Sequence, residues 1–162
     1  MSTIKHRRTG QPIPALSARD TLRETCLPFA DLRCALLAGF DLHSAILDGA
    51  ALADADLSGA DLREASLVGA DLSAADLTGA VLANADLECA HLDGACFRRA
   101  NLRGARLTGA FCTGADFRGA ELQGADLTGV RLGASTFDEA VYSSETIWRV
   151  GFAPTAQGMR WV

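Results

Sequence analysis

Residues Ala51 to Ala80 read ALADADLSGADLREASLVGADLSAADLTGA, six periods of one five-residue pattern. Written A-(D/N)-L-x-x, the unit extends in both directions from Ala30 to Ser144 without insertion or deletion, giving 23 consecutive copies. Ala holds the first position in 20 copies and Leu the third in 18, so these two positions are the candidate core. A period of five matches neither a helix at 3.6 nor a strand at 2, and neither element keeps both positions buried over this length. The chain must therefore turn within every unit.

Four units closing one coil would let successive coils pair through backbone hydrogen bonds, about 4.8 Å apart. The sequence carries its own test of the four. A bulky core residue is best accommodated by another in the next coil, and Phe97, Phe117 and Phe137 recur every 20 residues at the third position. Cys112, smaller than Leu, falls on the neighbouring side. Gly fills the fifth position in 12 of 23 units, as a corner of positive φ requires, and Asp or Asn fills the second in 10, where a short acceptor reaches a nearby backbone N–H.

On these residues the chain resembles the pentapeptide-repeat protein family. The resemblance implies an all-β fold, a right-handed quadrilateral β-helix that is often dimeric, and in a few members binding to DNA gyrase by imitating duplex DNA. With just under six coils the rod is expected to be about 28 Å long. Leu57, Leu62, Leu72 and Leu77, with the three phenylalanines, are the expected core.

Three regions are expected. Residues 1–24 form a basic arm, with residues 18–25 either a short capping helix after Pro14 or an irregular first coil containing Leu22 and Leu27. Residues 25–147 form the β-helix, and residues 148–162 a capping tail. Thr146 to Pro154 is similar to a family tail of the form T-x-W-P-x-G-F-D-P, with Arg149 in place of Pro and Ala153 in place of Asp. Tyr142, Trp148, Phe152 and Trp161 are candidates for a cap or a homodimer contact.

Composition narrows the function. The net charge of −5 gives no general footprint for nucleic acid, so no direct binding to it is expected. No apolar run approaches the length of a bilayer crossing, and five cysteines without a CxxC pair suit reduced thiols, so a cytoplasmic protein without membrane contact is expected. A disulfide between Cys34 and Cys96 would have to span about three coils, roughly 14 Å, beyond the reach of a bridge.

An enzyme is not expected. His43 and His91 fall on adjacent sides more than two coils apart, and the periodic aspartates serve the corners. Cys89, His91, Asp93 and Cys96 have ligand chemistry but diverge on outer walls, so neither a metal nor a cofactor is expected. What remains is a non-catalytic protein-interaction scaffold with an unknown protein partner. The alternative is a DNA mimic that binds a type II topoisomerase, DNA gyrase, and alters sensitivity to quinolones or other gyrase poisons.

Charge bears on that choice. Residues 41–95 hold eleven acids against Arg63 alone, and Asp56, Asp61, Asp71, Asp76 and Asp86 are the candidate acidic surface. Residues 96–132 reverse the balance, with Arg98, Arg99, Arg103, Arg106, Arg118 and Arg131 against three acids. Ile46 and Val68 make a small outer apolar patch, expected to be covered by Ile13 and Leu16 of the arm.

Overall fold

The five-residue unit turns once per copy, and it does so in one way. In the computed structural model the N–H of each first-position residue donates to the third-position carbonyl three residues back, as from Ala35 to Leu32 (3.0 Å) and from Ala60 to Leu57 (3.0 Å). The fifth-position residue between them has positive φ, +69° at Gly39 and +64° at Gly59, while the fourth does not. That combination is a type II turn, whose third residue favours glycine. The structure describes residues 21–162 in full and, before them, the backbone of strands β1 (Thr3–Lys5) and β2 (Pro12–Ser17), which pair antiparallel.

Successive coils are joined by parallel bridges between residues 20 apart, which form four ladders. The first runs Thr21–Asp41–Asp61–Val81–Asn101–Glu121–Val141, the second from Cys26 to Asp126, the third from Asp31 to Arg131 and the fourth from Leu36 to Thr136. The chain is thus a β-helix. Its interior holds the first- and third-position side chains: Leu57, Leu62, Leu72, Leu77, Phe97 and Phe117 are fully buried, and Phe137 is 2% exposed. The phenylalanines stack in a column with ring centroids 5.0 Å apart, close to the spacing of hydrogen-bonded strands. Cys112 is buried beside them, and loss of solvation pushes its thiol up to about 12.

The first coil begins earlier than expected, and the last coil leaves the regular register. Thr21 already pairs with Asp41, Leu22 is buried, and Glu24 and Phe29 have the positive φ of corners. Residues 21–25 are therefore a side of the first coil and not a helix, while residues 18–20 lie outside the described residues. At the other end the repeat does not keep its register to Ser144. Glu121 pairs with Val141, 20 residues on, but Asp126 pairs with Ile147, 21 residues on. One extra residue enters the turn Ser143–Thr146, which lacks a positive-φ corner. There the Thr146 hydroxyl donates to the Leu122 carbonyl (2.8 Å) and accepts from the Ser143 N–H (3.1 Å), anchoring the displaced chain.

The tail closes this end. Strand β3 (Val141–Tyr142) pairs in parallel with β4 (Arg160–Trp161), extending the first ladder by one rung. Between them a 3-10 turn, Pro154–Gln157, ends at Gly158 with positive φ. Trp148 and Phe152 stack on each other (4.7 Å), and both meet Phe137 edge-on, at 6.3 and 5.4 Å.

Candidate protein-interaction surface

The second-position side chains stand on the ladders and do structural work first. Asp41, Asp56, Asp71 and Asp76 each accept the N–H of the residue two places on, at 2.9 to 3.1 Å. This fixes the approach to each corner with a donor the sheet does not use. The aspartates are thus required by the fold before any partner is considered.

The five acids of the candidate surface do not share one face. Asp56 and Asp76 are adjacent rungs of the fourth ladder, whereas Asp61 lies on the first, Asp71 on the third and Asp86 on the second. Asp61 is also paired with Arg63 and Asp86 with Arg106. The Arg63 hydrogen bond holds the Asp61 carboxyl below its ordinary range. His43 and His91 stand two ladders apart, on non-neighbouring faces and not adjacent ones, because His43 belongs to the unit of Asp41 and His91 is itself a rung of the third.

The basic residues are better organised. Arg98 and Arg118, 20 residues apart, occupy one column on the face of the fourth ladder and share Asp116. Asp116 takes Arg118 through Nε (2.8 Å) and Nη2 (2.6 Å), Arg98 through Nε (3.3 Å), and the Thr136 hydroxyl (3.2 Å). The hydrogen bonds from Arg118 and Thr136, Arg118 foremost, hold its carboxyl at about 2. Thr78, Arg98, Arg99, Arg118, Asp138 and Glu139 border an open cleft of about 500 Å³. Sequence reading marked the arginines as a band, but their common column was available in the spacing of 20.

On the third ladder Phe111 lies between two planar groups. His91 stacks on it at 4.7 Å with the rings 1° from parallel, and the Arg131 guanidinium sits 4.6 Å from its centroid. Of the four tail aromatics, Tyr142, Trp148 and Phe152 pack against the core, whereas Trp161 is 66% exposed beside exposed Val162. The Trp148 indole N–H is buried without an acceptor among the described residues. Ile46 is 43% exposed. The side chains of Ile13 and Leu16, expected to cover it, lie outside the described residues.

The sequence profile of the Pentapeptide repeats family matches residues 25–63, 65–104 and 95–133, in eight copies. The chain belongs to this family. Pentapeptide-repeat neighbours among solved structures support the right-handed β-helix. One is HetL, from the cyanobacterium Nostoc sp. strain PCC 7120, a pentapeptide-repeat protein involved in the regulation of heterocyst differentiation. It is 29% identical over 76% of this chain and 71% of its own, with a TM-score of 0.62. Another is Rfr23 from Cyanothece 51142, 30% identical over 80% of this chain and 91% of its own, with a TM-score of 0.59. No curated protein sequence matches significantly. The pentapeptide repeat thus accounts for the core and corners, and leaves function to the outward side chains.

Proposed function

We propose that the protein is a non-catalytic scaffold, a quadrilateral rod of about six coils whose outer faces are recognised by a protein partner in the cytoplasm. The observation that carries this reading is the division of labour along each unit. First- and third-position side chains fill the interior, second-position aspartates brace the corners, and fourth positions such as Arg63, Arg98 and Arg118, with second positions such as Arg106 and Arg131, carry outward charge in fixed register. A rigid display of this kind loses little conformational freedom on binding. Immobilised protein should retain a stoichiometric partner from its source cell, and charge reversal on one face should release it. Failure to retain any partner would overturn the reading.

The alternative, a DNA mimic that engages DNA gyrase, draws on the acid rows Asp41–Asp61 and Asp56–Asp76. It is the weaker reading, since the arginine pair Arg98 and Arg118 interrupts the second row's face. An unchanged supercoiling rate with protein in excess, with and without a quinolone, removes it. Self-association through the tail rests on Trp161 with Val150 and Val162, all exposed. Light scattering that gives 17 kDa for the wild type would exclude a dimer.

A further inference from the structure

Apart from Arg131, which lies on the Phe111 ring, the arginines on the other three ladders have carboxylates of their own. Arg33 pairs with Asp31, Arg63 with Asp61 and Arg103 with Glu121, while Arg106 reaches both Asp86 and Glu88. The fourth-ladder face is the exception. Asp116 already receives the Arg118 backbone N–H, two Arg118 side-chain bonds, the Thr136 hydroxyl and Arg98 Nε. A carboxylate has about four lone-pair sites, so it is saturated. Among the described residues no hydrogen bond is made by the terminal nitrogens of Arg98, by Nη1 of Arg118 or by the Arg99 guanidinium.

Arg99 also stands where the fold would prefer glycine. It occupies a corner at φ +55°, in a column with Gly79 below and Gly119 above. Its stem lies against Gly119, with Cγ 3.4 Å from where a β-carbon would be. The bare glycine corners leave room beside three guanidiniums. Glu139 at the rim is paired with Arg160, so the three arginines face Asp116 and Asp138 with one positive charge in excess.

We propose that this cleft binds an acidic peptide segment of the protein partner, its carboxylates taken by the unused N–H groups of Arg98, Arg99 and Arg118. The proposal rests on the scaffold reading and names the chemistry of the partner. Guanidinium forks match carboxylates in pairs of parallel bonds. Asp116 sets the orientation of Arg98 and Arg118 before the ligand arrives, which lowers the ordering cost.

The probe is a fluorescein-labelled hexaglutamate peptide, followed by anisotropy against the full chain. Arg99→Gly removes the guanidinium while giving the corner its preferred residue, so it should raise the melting temperature yet weaken binding about fivefold or more. Ala74→Gly, the same backbone change at another corner, should leave binding unchanged. Wild-type affinity in Arg99→Gly overturns the proposal, as does the absence of hexaglutamate binding by the wild type. A phosphoserine peptide of equal length that binds about tenfold tighter would reassign the cleft to phosphoryl groups, overturning the carboxylate claim. If a partner captured from the cell is retained equally by Arg99→Gly, the cleft fails while the scaffold stands. If no partner is captured by the wild type, it is the scaffold that fails.

Discussion

At a single corner, the side chain and the backbone want different things. Fifth-position residues from Glu24 to Glu139 all have positive φ, and twelve of them are not glycine. For an L-residue this conformation costs about 1–2 kcal/mol. Gly69→Ala, at φ +63° with open space around the new methyl, should therefore destabilise by about 1 kcal/mol. Ala74→Gly should stabilise by roughly half as much, since glycine also frees the unfolded chain. Thermal melts of the pair check both signs, and a loss of stability in Ala74→Gly would contradict the argument.

Asp116 supplies the test of pH. Its carboxyl is held at about 2 when folded, against an ordinary value near 3.9. The ionised form is thus favoured by folding. Its contribution is full above the ordinary value and is lost as the pH falls through 2. Carboxyl NMR should show Asp116 titrating well below the ordinary aspartate value, and Arg118→Ala should move it upward. An unmoved midpoint would remove Arg118 as the cause.

Within one side of the rod, the phenylalanine column is the element that matters most. Phe117 is stacked on both faces and fully buried, so Phe117→Ala should cost about 3–5 kcal/mol. Phe117→Leu, which restores the residue common at this position, should cost less. Urea denaturation measures both, and equal losses would mean that shape, not volume, governs the column. This column was legible from sequence because a recurrence of 20 reports stacking directly. The ends were not. Ser143 and Ser144 occupy the fourth and fifth positions of the last unit, but a letter pattern does not record which turn forms, and the hydroxyl of Thr146 reaching Leu122 draws in one more residue. At the start, Thr25 replaces the expected Ala, so the first coil hides behind an atypical residue. The candidate acids are divided among ladders for a simpler reason: Asp56 and Asp61 are neighbours along the chain, yet five residues carry the chain to another ladder, whereas Asp56 and Asp76 truly adjoin.

For the whole molecule, each coil touches only the coils above and below, so stability accumulates along one direction and the ends are the weak points. The tail answers this at the C-terminal end by setting Trp148 and Phe152 over Phe137, the last ring of the column. The spacing of 20 between bridged residues has a consequence for how such a chain can change length. It works as clock arithmetic with a modulus of 20. Deleting residues 61–80 subtracts a full revolution, so every remaining residue should keep its phase and the two arginines their bearing relative to the N-terminal acids. Deleting residues 61–65 should also fold, because Ala and Leu recur in every unit, but it advances everything downstream to the neighbouring ladder. If a partner reads both halves of the rod, the larger deletion should disturb recognition less than the smaller one.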